Sequence, residues 1–315
     1  MNKLTRDERR DVQWQSRVYL CQSRFSKFLL ELGAFFPARF TASQEFSVSI
    51  PLVIIGGGVM GEAILAGLLR QQLYPPDAIL VREISPERQE YLQRQYQVRA
   101  IAGTEGLFPA ETVLLAVKPQ GLEPVAASLV PHFQGNPPLL LSILAGVTLQ
   151  RLEAAFPQAP VIRAMPNTPA TVGAAITAIA GGNLVKEAQL EAARRLFEAI
   201  GQVVEVPEFL MDAVTGLSGS GPAYVALAIE ALADGGVAAG LARGTALQLA
   251  LQTVLGTAQL LQSTGLHPAV LKDRVSSPGG TTIAGVAALE RAGFRSALIE
   301  AVLAAQRRSQ ELGQS

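Results

Sequence analysis

The chain has 315 residues, 49% of them apolar and 17% charged, with 26 basic and 26 acidic side chains. That length suits two domains, and that apolar share can fill a sizeable core. A formal charge of zero supplies no field to gather nucleic acid or an anionic membrane surface, so neither is expected as a partner.

A single cysteine, Cys21, excludes an intrachain disulfide and suits a reducing compartment, and a cytoplasmic location is expected. The only histidines are His132 and His267, which leaves little material for a histidine-rich metal site or a Ser-His-Asp relay, and no metal is expected. Apolar runs break before the roughly 18 residues needed to span a bilayer. The longest, over residues 222–241, carries Glu230 and Asp234.

Residues 1–48 differ from the rest. They hold the only Trp (Trp14), the only Cys and six of the twelve Phe. They are expected to be a disordered extension or to precede a true start near Val48. A charged opening with no clean apolar stretch argues against a signal peptide, and Asp7, Glu8, Asp11 and Glu31 argue against a transit peptide.

From Pro51 short apolar runs alternate with amphipathic stretches. Strands are predicted at 52–55, 78–81, 112–117, 139–143, 161–164 and 203–206, and helices at 60–71, 86–95, 122–130, 149–155 and 186–199. Such alternation predicts an α/β fold, a Rossmann-type parallel sheet with helices on both faces, over residues 49–209. Beyond Glu208 the strand signal ends, and helices are predicted at 223–233, 243–262, 268–275, 283–291 and 294–312. An all-helical unit over 210–315, this rich in Ala and Leu, cannot hide its apolar surface alone. It is expected to pair with a second copy as a homodimer, with a higher assembly of dimers open.

The run Val53-Ile54-Ile55-Gly56-Gly57-Gly58-Val59-Met60-Gly61 carries G-x-G-x-x-G between a strand and a helix. Gly56 suits a tight turn, Gly58 a pyrophosphate approaching the backbone, and Gly61 close packing of helix on strand. The helix start offers its free N–H groups to phosphates. Glu83 lies 22 residues beyond Gly61, where an acid commonly grips a ribose 2′-hydroxyl, while Arg82, Ser85 and Arg88 suit a 2′-phosphate, or the stretch is a charged, solvated loop with Ser85 capping the next helix. Two further strand ends, Ala116-Val117-Lys118-Pro119 and Ile143-Leu144-Ala145, are placed to line the same groove.

In the helical half, Ser277-Pro278-Gly279-Gly280-Thr281-Thr282 breaks one helix and opens another. Its glycines and the new helix start present backbone N–H groups as a nest for a carboxylate, with a threonine hydroxyl beside it. Two more loops stand out. Ser218-Gly219-Ser220-Gly221-Pro222 opens a helix, and Asn167 sits in a stiff turn between Pro166 and Pro169, where it orders a pocket or only turns the chain.

Taken together, residues 56–61, 116–119, 142–147, 163–170, 212–224 and 271–290 resemble pyrroline-5-carboxylate reductase, over about 52–312. The resemblance implies a Rossmann domain followed by a helical dimerisation domain, with the active site where the two meet across a dimer. It implies reduction of the C=N bond of 1-pyrroline-5-carboxylate to L-proline, the final step of proline biosynthesis. NADPH is the implied donor, with NADH as the alternative, which tilts the reading of Arg82 and Ser85 towards the 2′-phosphate. Ser277, Gly279, Gly280 and Thr281 would receive the substrate carboxylate, and the Thr282 hydroxyl would meet the imine nitrogen as the catalytic contact. Gly56, Gly57, Gly58, Val59, Met60 and Gly61, together with Ala116, Val117, Lys118, Pro119, Ile143, Leu144 and Ala145, would touch the cofactor. Several members carry an asparagine near the ribose where this chain has Gly103 or Thr104. A hydroxyacid dehydrogenase would need a His or Lys as general acid/base, and the helical half offers only His267 and Lys272. A non-catalytic nucleotide-binding protein would have no use for residues 277–282.

Overall fold

The computed structural model describes residues 50–133 and 135–313. The extension read at residues 1–48 lies outside them.

The first element is β1 (Ile50–Ile55), followed by α1 (Val59–Arg70), β2 (Ile79–Arg82), α2 (Pro86–Tyr96) and β3 (Arg99–Ile101). The second run is β4 (Ala110–Leu115), α3 (Leu122–Leu129), β5 (Leu139–Ser142), α4 (Leu149–Ala155), β6 (Val161–Met165), β7 (Ala175–Gly181), α5 (Glu187–Glu198) and β8 (Gly201–Glu205). These strands form one sheet in the order β3-β2-β1-β4-β5-β6-β7-β8. The order reverses between β1 and β4, which opens a crevice at their carboxyl ends.

Successive β1 side chains serve opposite cores. Leu52 and Ile54 pack with Ile64, Leu68 and Phe197, whereas Val53 and Ile55 pack with Leu122, Leu152 and Phe156. A strand buried on both faces needs a continuous apolar run rather than alternation.

The parallel expectation fails at one place: β7 runs antiparallel to β6, with Arg163 opposite Ala180. The loop between them is too short for a crossover helix, so the chain folds straight back. Neither β7 nor the three-residue β3 is predicted from sequence. The Ala-rich β7 has little β-propensity of its own and is held by pairing on both sides.

The chain then becomes helical: α6 (Met211–Val214), a π-helical turn (Thr215–Gly219), α7 (Gly221–Ala238), α8 (Arg243–Thr264), α9 (Pro268–Arg274), α10 (Thr281–Arg291) and α11 (Phe294–Gly313). The buried cluster of α7 and α8 is only Ala233, Ala246 and Ala250. Leu227, Leu249, Leu251, Leu289 and Ile299 are each about half exposed or more. No helix among the described residues is long and apolar enough to cross a membrane.

Candidate active site

The glycine turn is shaped by contacts that a side chain would destroy. Gly56 has φ +105°, a conformation open mainly to glycine, and a Cβ there would stand 2.7 Å from the Ala116 carbonyl oxygen. At Gly61 a Cβ would stand 2.2 Å from the Gly56 oxygen. Gly58 is different: a Cβ would meet nothing within 4 Å. It is the N-cap residue of α1 and caps with no side chain, so the helix start is left to an incoming anion.

A groove of about 550 Å³ lies over this turn, lined among others by Gly56, Gly58, Arg82, Ala116, Val117 and Lys118. The structure therefore brings the glycine turn and the loop after β4 together. Pro119 and Ala145 line a second cavity of about 490 Å³, which also takes in Gly146, Thr215, Ser220 and Ser309. Leu144 sits in the core at 2% exposure, its N–H 3.4 Å from Ser142 Oγ and its carbonyl accepting from the Val147 N–H at 3.3 Å, and it lines neither cavity. Ile143 is held against β4 by its N–H, 3.1 Å from the Leu115 oxygen.

The charged groups after β2 are largely committed. Glu83 accepts from the Gly57 N–H at 2.8 Å and from the Ser85 N–H at 3.0 Å. Ser85 caps α2 through the Arg88 N–H and donates to Glu87 at 2.7 Å, a bond that holds the Glu87 carboxyl below its usual range. Arg88 donates from Nε to the Gly57 oxygen at 2.6 Å and pairs with Glu62. Arg82 lines the groove while donating to Ser128 Oγ at 2.8 Å and more loosely to the Ala102 oxygen.

Asn167 does more than turn the chain, because its side chain ties together two segments beyond it. It is buried, donates to the Ser218 oxygen at 3.1 Å and accepts from the Ile176 N–H at 3.0 Å. One side chain thus stitches β7 to the π-helical turn. That turn had no sequence signal beyond its small residues. Gly216 lets it lie against α11, where a Cβ would be 2.6 Å from the Val302 oxygen. Asp212 accepts from the buried Ser309 hydroxyl at 2.6 Å, fixing α6 on the same helix. A π turn of this kind is costly and recurs near functional sites.

The turn before α10 is built as a nest with one difference. Gly279 has φ +67°, but the Gly280 N–H is spent on the Ser277 oxygen at 3.0 Å, so the uncovered donors are those of the helix start at Thr281 and Thr282. Thr282 is half-buried and Thr281 exposed. No residue of 277–282 lines either cavity described above. Neither of these two cavities joins the glycine turn to this one.

Comparison with known proteins agrees with both halves. Residues 208–312 match the family described as pyrroline-5-carboxylate reductase dimerisation, and residues 51–146 match that described as NADP oxidoreductase, coenzyme F420-dependent. The chain is 62% identical over 267 residues to pyrroline-5-carboxylate reductase of Synechocystis, covering 84% of this chain and 99% of the relative. It is 44% identical over 268 residues to that of Arabidopsis thaliana, covering 85% and 97%. The structure of the Coxiella burnetii enzyme superposes with a TM-score of 0.80 at 33% identity, covering 85% of this chain and all of that one. The Plasmodium falciparum enzyme, solved with NADP bound, gives 0.75 at 30%, covering 84% and 98%. These matches support a nicotinamide cofactor for the crevice and a dimer-forming role for the helical half. With both halves accounted for by one set of relatives, the chain belongs to the pyrroline-5-carboxylate reductase family.

Proposed function

We propose that this chain reduces the C=N bond of 1-pyrroline-5-carboxylate to L-proline in the cytoplasm, as the closing step of proline synthesis. The observation that carries the reading is the pairing of an open glycine turn under a groove with a separate, uncovered helix start at Thr281. Gly58, where a Cβ would find open space, fits a pyrophosphate lying against the backbone. When bound, the dinucleotide supplies a hydride from its reduced nicotinamide. The protein's own work is placement. The N–H groups of Thr281 and Thr282, with the Ser277 hydroxyl and the Gly279–Gly280 bend, hold the substrate carboxylate. The Thr282 hydroxyl hydrogen-bonds the ring nitrogen, which gains the C=N electron pair as hydride reaches the carbon. Ala116, Lys118 and Ala145 order the nicotinamide end. A protonated imine is already electrophilic, so orientation at about 3 to 3.5 Å between reacting atoms supplies much of the rate.

Because residues 277–282 stand apart from both cavities of their own protomer, we assign the complete site to a homodimer. In it the nucleotide domain (49–209) of one copy meets the helical domain (210–315) of the other. The exposed leucines of α7 and α8 support that pairing. For the donor we propose NADPH, with NADH also accepted. Both Glu83 and Arg82 line the groove, but Glu83 already has an N–H on each oxygen, while Arg82 and Lys118 bring cations to it.

A steady-state assay of the full chain with 1-pyrroline-5-carboxylate tests this. Oxidation of NADPH with formation of proline is expected, and NADH should give a lower kcat/KM. No proline with either donor would overturn it.

A further inference from the structure

The two peptide groups flanking Gly57 are gripped from opposite sides by opposite charges. Its N–H donates to Glu83 at 2.8 Å, and its carbonyl accepts from Arg88 Nε at 2.6 Å. The Arg88 guanidinium is held in turn. It pairs with Glu62 on the first turn of α1 and lies 4.8 Å over the Tyr91 ring. Glu62 also accepts from Tyr96 Oη at 2.7 Å and Tyr91 Oη at 3.0 Å. No role in the proposed reaction uses these groups.

Their geometry has a consequence one residue on. A trans peptide is planar, with C=O and the next N–H pointing in opposite directions. Fixing the Gly57 carbonyl on Arg88 therefore turns the Gly58 N–H away from Arg88, at the residue that lines the groove with open space above it. Three consecutive glycines would otherwise sample many orientations, and an anion would have to order them on binding.

We propose that Glu62 and Arg88 are positioning residues, a clamp that holds the Gly57–Gly58 peptide with its N–H ready for the cofactor's pyrophosphate. The clamp rests on the dinucleotide reading above, and it acts on the part common to NADH and NADPH.

The test uses Arg88→Lys and Glu62→Gln in the full chain. Lysine keeps the charge but cannot reach the carbonyl and the carboxylate with one planar fork. KM for NADPH and for NADH should both rise, roughly tenfold, the scale of one hydrogen bond to a charged group. Saturated kcat and the imine KM should stay within about twofold. The double variant should be no worse than the poorer single, as for parts of one device. A fall in Tm with unchanged cofactor KM would show mere helix packing and overturn the clamp. A rise confined to NADPH would also overturn it, because Arg88 would then be reading the 2′-phosphate. If Arg88→Lys does not fold, Tyr96→Phe removes one donor to Glu62 and should raise both cofactor KM values about twofold, and no rise would overturn the clamp. Titration with ADP-ribose separates this proposal from the functional one. An inactive wild type that still binds ADP-ribose, and binds it more weakly as Arg88→Lys, defeats the reaction assignment and keeps the clamp.

Discussion

Arg163 in the middle of β6 and Glu208 at the entry to the helical half form an ion pair at 3.2 Å, with the arginine side chain almost fully buried. Glu208 also accepts from the Leu149 N–H at the start of α4. Three elements distant in sequence share one carboxylate. Glu208→Ala should therefore lower stability by about 1.5–3 kcal/mol, because a buried guanidinium loses its partner. Thermal unfolding checks the value. Arg163→Met with Glu208→Leu should recover part of the loss by removing both charges, and a double variant as unstable as Glu208→Ala would contradict this account.

Gly58→Ala and Gly61→Ala should separate binding from folding. The Gly58 Cβ meets nothing and its φ of −68° suits alanine, so Tm should hold within the equivalent of about 0.5 kcal/mol. Cofactor affinity should nonetheless fall by tenfold or more, because the methyl occupies the pyrophosphate's path. Gly61→Ala forces a Cβ within 2.2 Å of the Gly56 oxygen and should lose stability as well, by about 1–3 kcal/mol. Calorimetry and cofactor titration on the same preparations decide both.

Thr282→Ala should reduce kcat by about a hundred- to a thousandfold with an unchanged fold, the range for one well-placed donor at a reacting atom. Circular dichroism and steady-state kinetics check it, and an unaltered kcat would remove Thr282 from the site.

Asn167→Leu should strip the Ile176 N–H and the Ser218 carbonyl of their partners at once, lowering stability by about 2–4 kcal/mol. Asn167→Asp keeps the acceptor for Ile176 but sets a carboxylate against the Ser218 carbonyl, and it should fall between wild type and Asn167→Leu in a denaturant titration.

Burial works to raise the Glu62 pKa, but bonds from Arg88, Tyr96 and Tyr91 outweigh it, and the carboxyl lies below its ordinary value. Burial and the bond to Glu62 push the Tyr96 phenol up. A depressed carboxyl pKa means the folded chain binds that proton less readily than the unfolded one. Its contribution is complete above about pH 4.3, the usual glutamate value, and is lost as the pH falls through the folded-state pKa. Affinity for ADP-ribose, which carries no titrating 2′-phosphate, should accordingly stay level from neutrality down to about pH 4.3 and decline below it. Glu62→Gln should start weaker and lack the Glu62 share of the decline. Titrations across pH with both proteins provide the comparison.

Much of this was legible residue by residue. The run from Leu52 to Ile55 is apolar at every position because both of its faces are covered, and Gly56, Gly58 and Gly61 follow it at the spacing of a dinucleotide turn, read as such because a strand precedes and a helix follows. Helix α4, for example, begins and ends where expected, capped by Thr148. Ser85 as the cap of the following helix could be read from its place before Pro86, but the commitment of Arg88 was not legible. A list of charges after a strand does not say which will reach a ribose and which will turn back to a glycine carbonyl, since that depends on rotamers set by α1. Asn167 was ambiguous for the same reason: both its partners lie further along the chain, Ile176 in an unpredicted strand and Ser218 in a distant turn.

The order of elements, the anion-ready turn and the change from sheet to helix follow from local rules of apolar period and glycine placement, which act over a few residues and can be read along the chain. The antiparallel β7, the π turn at 215–219, the capture of Arg163 by Glu208 and the separation of residues 277–282 from their own nucleotide groove come from three-dimensional packing. Each depends on contacts between residues far apart in sequence, or on what a protomer leaves uncovered, and no local pattern carries that information.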